Sequence, residues 1–391
     1  MTVVDLASLP LSRAVLDRAA DLRADPGAVA RARRDPATRV LVVGGGEVVL
    51  GESGAVALLD PATAARVAGD DERDEQAGDE RADDERWLLL GRDGDDESAP
   101  LVLARRVHRG RSVPRAGQAS DVLVHGPVEP PTTAELVVPA GGASADAARL
   151  VMADAVAEIA GLVLPDTVAD GPGLVVPGHD LVPAPGLRWA ALREAGADLP
   201  ARDAGLATMA VALDEWHARH PRCPRCGAPT VPAQAGWIRV CTAEGSEHYP
   251  RTDPAIIVAV VDDDDRILLG HNGAWPNRRF STLAGFVEAG ESAEHAVTRE
   301  VVEETAIVVD RVDYRGSQPW PFPASLMLAF RGHAATTEVK VDGAEVTEAR
   351  WFTRDEMSSA VREGDVLLPM RTSVAYALIT DWFGAPLPTR W

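Results

Sequence analysis

The sequence predicts an α/β protein in three parts: an N-terminal α+β domain over residues 1–218, a small cysteine-bearing segment over 219–251, and a C-terminal α/β domain over 252–391. Three observations support this division. Strand-like apolar runs stand among helical patterns, three cysteines lie close together, and new strand-like runs begin after Arg251. A chain of 391 residues is long enough for more than one buried core.

The composition is typical of a soluble cytoplasmic enzyme, with 46% hydrophobic and 25% charged residues. Apolar runs such as residues 255–261 are too short to span a bilayer, and no basic segment followed by an apolar one opens the chain, so we expect no membrane association. The net charge of -21 argues against broad affinity for nucleic acid. Residues 219–251 have a positive net charge instead, with five arginines against two glutamates. A locally positive surface is therefore compatible with the overall negative charge.

The first part contains strand-like runs at residues 39–43 and 87–90. Between them, residues 70–86 hold ten acidic residues against three arginines, and so little apolar surface predicts a disordered loop insertion. The glycines at 44–46 do not complete a dinucleotide-binding fingerprint, because Val49 stands where its third glycine belongs. They indicate a hairpin turn instead.

A helix is predicted over residues 203–220, where apolar side chains recur at helical spacing until Pro221 ends the pattern. His217 falls on the apolar face of this helix. A histidine in that position indicates a packing residue with satisfied ring nitrogens rather than a metal ligand.

The cysteine segment has the spacing Cys223-x2-Cys226-x14-Cys241, in which two turns bring thiolates to one tetrahedral Zn²⁺. Three cysteines cannot form a disulfide framework, so the pattern favours metal. A fourth cysteine is absent, and Glu244 or His248 could supply the fourth ligand. The alternative is a ribbon that has lost its metal and is held together by packing.

The third part begins near Thr252 with a predicted hairpin. An apolar strand at residues 256–261 and another at 267–269 flank an acidic turn at 262–265.

A pattern of glycine, arginine and glutamates follows over residues 285–304, through a turn and then a helix. Glu300, Glu303 and Glu304 stand at i, i+3 and i+4, so their carboxylates share one helical face. Such clustering is unfavourable unless a hard divalent cation such as Mg²⁺ neutralises it. Arg299 is placed to pair with Glu291 and brace the helix. The alternative is a solvated acidic helix face, which would not explain the glycine, Glu291 and Arg299 at these offsets.

This stretch resembles the Nudix box, G-x5-E-x7-R-E-U-x-E-E-x-G-U, where U is aliphatic, and the resemblance implies an α/β/α sandwich. The single departure is Ala306, which stands where the family has a glycine. If the backbone there has positive φ, alanine costs about 1 kcal/mol in strain.

A second motif, SQPWPFPAS at residues 317–325, is similar to the signature of NADH pyrophosphatases. Its three prolines predict a rigid, non-helical wall, against the alternative of a structural proline-rich loop. The resemblance implies that Gln318 and Trp320 contact the substrate.

Carried over to this chain, the resemblance assigns Mg²⁺ or Mn²⁺ binding and catalysis to four glutamates: Glu300, Glu303, Glu304 and Glu345. Glu345 precedes the Ala-Arg-Trp strand at 349–351, and Glu348 is a second candidate. Which glutamate takes the proton is left open.

The resemblance also implies that Phe286 and Tyr249 sandwich a base, Tyr249 being supplied by the other subunit of a homodimer. Core packing of Phe286 and ribbon packing of Tyr249 are the alternatives.

The implied reaction is metal-dependent hydrolysis of NADH or NAD⁺ to NMN(H) and AMP. Removal of the NAD cap from the 5′ end of RNA uses the same chemistry. The alternative to an enzyme is a non-catalytic zinc-ribbon protein whose Nudix domain senses a nucleotide.

Overall fold

The computed structural model describes residues 9–13, 16–69, 86–94, 96, 98–107 and 184–387. The acidic segment predicted as a disordered insertion lies outside these ranges, apart from Arg86. Among the helices so described, none combines the length and the apolar character needed to cross a bilayer.

The N-terminal part is built on a mixed sheet of five described strands in the order β3-β4-β1-β2-β5. These are β1 (Arg39–Gly44), β2 (Glu47–Leu50), β3 (Trp87–Arg92), β4 (Leu101–Arg106) and β5 (Arg188–Ala191). The predicted strands at 39–43 and 87–90 are confirmed. The hairpin turn is confirmed as well, because Gly45 and Gly46 connect β1 to β2 with φ of 61° and 80°, which glycine adopts readily.

Helices cover this sheet: α1 (Ala28–Arg34), α2 (Pro61–Val67), α3 (Leu192–Ala195) and α4 (Ala201–Arg219). The long helix confirms the prediction for residues 203–220. Its Asp214 accepts a hydrogen bond from the Gly45 N–H at 3.2 Å and pairs with Arg106 at 2.8 Å. These contacts fix α4 against the first hairpin.

His217 of α4 is buried, as the packing prediction requires. Its Nε2 lies 2.8 Å from the Gly236 carbonyl, and Arg239 lies 2.9 Å from Nδ1. Burial and nearby arginine charges lower the pKa of His217 to about 3. The ring is therefore neutral, donates through Nε2 and accepts through Nδ1, which confirms the packing role.

The cysteine segment forms a small antiparallel sheet of three described strands: β6 (Thr230–Ala233), β7 (Ile238–Cys241) and β8 (Glu247–His248). Thr230 pairs with Cys241, and Arg239 pairs with His248 across the strands.

The C-terminal part has a second mixed sheet in the order β12-β13-β9-β10-β14, with β11 paired to β9. Its strands are β9 (Asp253–Val261), β10 (Ile267–Asn272), β11 (Leu283–Phe286), β12 (Val309–Trp320), β13 (Ser325–Ala334) and β14 (Val346–Phe352). The predicted hairpin is confirmed, since Ile267 pairs with Val261.

Helices lie on both faces of this sheet: α5 (Ala293–Thr305), α6 (Arg354–Glu363) and α7 (Val374–Phe383). Side chains alternate along β9, so that Ile256 and Val258 pack with Val301 of α5, while Ile257 shares a core with Leu378 of α7. This is the predicted α/β/α sandwich.

The core on the α7 side continues into the N-terminal sheet, where it includes Leu41 and Leu88. Gln318 of β12 lies in this region and is fully buried. Its amide accepts the Leu11 N–H at 3.1 Å and donates to the Thr372 carbonyl at 2.9 Å. The N-terminal and C-terminal parts thus share one interior, and the boundaries at 218 and 251 stay predictions.

Helix α5 ends at a left-handed residue, Ala306, with φ of 59° and ψ of 11°. The backbone conformation therefore explains the family glycine at this position, since alanine is strained there.

We expect Ala306→Gly to raise the free energy of unfolding by about 1 kcal/mol in urea titrations. As a matched control, Ala360→Gly inside the right-handed α6 should lower it by about 0.5 to 1 kcal/mol. A destabilised Ala306→Gly protein would contradict the strain argument.

Candidate active site

Arg299 on α5 holds the helix against the loop that precedes it. Its Nε and Nη2 donate to the two oxygens of Glu291, each at 2.9 Å, and Nη2 also donates to the Phe286 carbonyl at 2.9 Å. This bidentate pair confirms the predicted brace. It fixes the position of the end of β11 relative to the carboxylate face of α5.

The three box carboxylates on α5 differ in exposure. Glu300 and Glu304 are 6% and 5% exposed, whereas Glu303 lies on the surface. Arg299 Nη1 donates to Glu300 at 2.8 Å and to Glu303 at 3.1 Å. One guanidinium therefore contacts three of the four box glutamates, namely Glu291, Glu300 and Glu303.

Burial raises the pKa of Glu300 to about 7, although the Arg299 charge opposes the shift. Burial also raises the pKa of Glu304 well above its ordinary range, and the charges of Glu300 and Glu345 add to this shift. Without a cation, Glu304 favours the protonated form near neutral pH, whereas Glu300 populates both forms there.

Glu345, which directly precedes β14, lies close enough for its charge to raise the pKa values of both Glu300 and Glu304. Glu348, the second candidate, instead pairs with Arg350 at 2.9 Å. These charge effects favour Glu345 over Glu348, and its role as the fourth carboxylate stays a prediction.

Asp342 belongs to the same acidic group, because its charge also raises the pKa of Glu304. Asp342 was not predicted from the sequence. The signal available was an acidic residue next to a glycine, three positions before Glu345.

The donor set fits a hard divalent cation. Glu304 Oε2 is buried and has no hydrogen-bond partner among the described residues. A buried carboxylate oxygen without a hydrogen-bond donor is unfavourable unless a positively charged group lies next to it. The predicted ligands of Mg²⁺ or Mn²⁺ stay Glu300, Glu303, Glu304 and Glu345.

Gly285 on β11 allows this arrangement by its lack of a side chain. A Cβ built on Gly285 would overlap the carboxylate of Glu300. Its φ is not in the left-handed region, so close approach rather than backbone conformation requires glycine here. The first residue of the box thus makes room for one of its carboxylates.

In the ribbon, four ligand atoms lie within 4.8 Å of one another, supplied by Cys223, Cys226, Cys241 and Glu244. The Cys226 and Cys241 sulfurs are 3.5 Å apart, and Cys223 Sγ donates to Glu244 Oε1 at 3.3 Å. His248 instead contacts Ser246, with 3.2 Å between Nε2 and Oγ. Of the two candidates for the fourth ligand, the geometry favours Glu244.

Comparison with family models matches residues 251–370 to the NUDIX domain and residues 218–249 to the NADH pyrophosphatase zinc ribbon domain. Residues 251–370 are a Nudix domain, and a zinc ribbon precedes it.

Two relatives are named NAD-capped RNA hydrolases. NudC of Mycobacterium bovis is 46% identical over 202 residues, 49% of this chain and 64% of the relative. NUDT12 of Homo sapiens is 38% identical over 196 residues, 47% of this chain and 42% of the relative. This chain thus spans less than two thirds of either. A solved NUDIX hydrolase from Nitrosomonas europaea is 20% identical, covers 43% of this chain and 96% of its own, and has a TM-score of 0.31.

Phe286 and Tyr249 occupy different settings around the Nudix domain. Phe286 is half-buried, and its backbone carbonyl is held by Arg299. Tyr249 is 65% exposed, and its hydroxyl donates to Glu247 at 2.7 Å. No ring contact joins the two within one chain over the described residues, and their predicted meeting across a dimer stays a prediction.

Gln318 and Trp320, predicted to contact substrate, lie in the interior. The Gln318 amide bonds to Leu11 and Thr372, and Trp320 packs edge-on against Phe322 with ring centroids 5.0 Å apart. A substrate would have to break these contacts to reach either side chain. Their placement favours a structural role over the predicted substrate contact: the non-helical motif joins the Nudix domain to the N-terminal part.

For the ribbon, we expect purified protein to carry less than one equivalent of zinc, or to release it readily to chelators, because a carboxylate replaces the fourth thiolate. Elemental analysis before and after EDTA measures this. Glu244→Cys, which restores a four-thiolate set, should retain zinc longer, whereas Glu247→Cys on the neighbouring strand should not. Stoichiometric zinc that resists chelators in the wild-type protein would contradict this expectation.

Proposed function

We propose that this protein hydrolyses the diphosphate bond of NADH or NAD⁺, with water as the nucleophile, to give NMN(H) and AMP. The observation that carries the proposal is the buried carboxylate group, in which Glu304 Oε2 lacks a donor among the described residues. Such a site suits a cation that bridges to substrate phosphates. The zinc ribbon match and the SQPWPFPAS motif support a nicotinamide dinucleotide over other diphosphates.

When bound, Mg²⁺ or Mn²⁺ would lower the pKa of the attacking water and neutralise charge developing on the phosphate oxygens. Glu300, Glu303, Glu304 and Glu345 would hold the cations. Arg299 keeps the carboxylate face of α5 in register with the end of β11. Any of Glu304, Glu300 and Glu345 can take the proton from water, since each belongs to the same group.

A second candidate substrate is the NAD cap of RNA, in which the adenosine carries a chain and the same bond is cut. The names of the relatives favour it. The arginines of residues 219–251 supply a locally positive segment in a chain of net charge -21. Turnover of capped RNA should therefore fall with salt more steeply than turnover of the free dinucleotide.

The non-catalytic alternative is a nucleotide sensor. Retention of every box carboxylate counts against it, because binding of a nucleotide alone would not require the helix to keep Glu300, Glu303 and Glu304 on one face. The direct test incubates the protein and Mn²⁺ side by side with NADH, NAD⁺, ADP-ribose and NAD-capped RNA, and identifies products by mass. NMN(H) and AMP from the dinucleotides support the proposal, whereas no product from any of the four substrates would contradict it.

We further propose that the protein acts as a homodimer in the cytoplasm, with Tyr249 of one subunit completing the site of the other. An exposed aromatic ring beside the Nudix domain supports the first point, and three cysteines outside any disulfide framework support the second.

We expect Phe286→Ala and Tyr249→Ala each to lower kcat/KM for NADH by roughly 5- to 150-fold, because stacking on a base contributes about 1 to 3 kcal/mol. Mixing Tyr249→Ala protein with Glu304→Gln protein tests the sharing. A heterodimer then has one intact site, so random exchange should restore about a quarter of wild-type activity.

The control mixes Phe286→Ala protein with Glu304→Gln protein. Both residues belong to the same subunit's Nudix domain, so each site of a heterodimer carries one of the two changes and no intact site forms. Absence of recovery in the first mixture, despite demonstrated subunit exchange, would place Tyr249 in its own subunit's ribbon.

A further inference from the structure

The loop that brings Glu345 to the carboxylate group is attached to the end of α5. Lys340 N–H donates to the Thr305 carbonyl at 2.9 Å, and Asp342 N–H donates to the Glu304 carbonyl at 3.3 Å. Carbonyls at the end of a helix lack partners within it, and this loop satisfies two of them. The backbone before Glu345 is therefore set by the same helix that carries the other glutamates.

The side chain of Asp342 organises the rest of the loop. One oxygen accepts the Glu345 N–H at 3.0 Å and the other accepts the Val346 N–H at 2.9 Å. Gly343, with φ of 74°, allows the turn between them and donates its own N–H to the Val346 carbonyl at 3.1 Å. Asp342 thus fixes the backbone of Glu345 and of Val346 through two hydrogen bonds.

We propose that Asp342 is a positioning residue that holds Glu345 in place as a ligand of the catalytic cation, an inference that rests on the proposed function. Glu345 precedes the regular pairing of β14, so the ladder does not fix its backbone. The two N–H bonds to Asp342 take over that role. Because a ligand that is held in advance loses less conformational entropy on binding, the affinity for metal depends on this carboxylate.

The role of Asp342 differs from that of the four glutamates. Both of its oxygens are engaged with backbone N–H groups, whereas Glu304 presents an oxygen with no donor among the described residues. Asp342 acts through Glu345, and its loss should weaken metal binding without removing a ligand.

The test measures Mn²⁺ binding to the full chain by electron paramagnetic resonance of the free ion, with no substrate present. We expect Asp342→Ala to weaken the affinity of one Mn²⁺ by about 10- to 100-fold, the range found for groups that orient metal ligands. Asp342→Asn keeps one acceptor oxygen and should lose less. In kinetic assays kcat should fall at low Mn²⁺ and recover at high Mn²⁺, while KM for NADH stays unchanged.

Asp35→Ala is the matched control, because Asp35 also accepts a backbone N–H in a turn, from Ala37 at 2.8 Å, but in the N-terminal part. Its Mn²⁺ affinity should equal that of the wild type. If Glu345→Gln weakens Mn²⁺ binding and neither Asp342 variant does, the positioning role is wrong and the proposed function stands. If Glu345→Gln binds Mn²⁺ like the wild type, the assignment of Glu345 as a ligand is itself wrong. Should Asp342→Ala fail to fold, Asp342→Asn decides the question alone.

Discussion

Glu304→Gln is expected to lower kcat/KM for NADH by at least about 100-fold while the protein stays folded. Glutamine has the same volume as the protonated glutamic acid that burial favours in the absence of a cation, so the interior is not disturbed. It removes the negative charge that a cation needs, so we expect Mn²⁺ to raise the melting temperature of the wild type but not that of the variant. Glu303→Gln should lower activity as well.

The matched control is Glu294→Gln, which changes an exposed glutamate in the first turn of the same helix. This variant should keep wild-type turnover. Wild-type turnover by Glu304→Gln under saturating Mn²⁺ would show that the metal assignment is wrong.

Gly285→Ala should be almost as severe, with an expected loss of about 100-fold, although one methyl group is added and no ligand is removed. The new Cβ would overlap the Glu300 carboxylate. Glu300 is held by Arg299 at 2.8 Å, so it can move aside only by breaking that ion pair. Both activity and Mn²⁺ affinity should fall together.

Gly51→Ala serves as the comparison, because a Cβ at Gly51 would meet nothing within 4 Å and its φ is not in the left-handed region. It should leave activity and Mn²⁺ affinity unchanged. A fully active Gly285→Ala enzyme would mean that Glu300 is free to move during turnover.

Local geometry explains why much of the site was predictable. Carboxylates at i, i+3 and i+4 must share a face of any helix, so the grouping of Glu300, Glu303 and Glu304 follows from spacing alone. The bidentate pairing of Arg299 with Glu291 also spans only eight residues. Positive φ at Ala306 was raised only as a condition, because the family has a helix-ending glycine there, and the structure meets that condition with φ of 59°.

Contacts between distant parts of the chain were not predictable in this way. Asp342 joins the acidic group only because its loop packs on the end of α5, which no periodicity reveals. Gln318 was interpreted as facing substrate, yet its amide lies between Leu11 and Thr372. A proline-rich motif indicates rigidity, but the side of it that faces the interior depends on tertiary packing.

The link between Leu11 and Gln318 also has a consequence for the nascent chain. These residues are 307 positions apart, and a ribosome adding about 5–20 residues per second needs roughly 15 to 60 s to cover that interval. Until then, the first strands have an apolar face that is only partly covered, because the covering residues of the C-terminal part have not been synthesised. We therefore expect translation to outlast the first folding steps of the N-terminal sheet and chaperones to bind that face in the meantime.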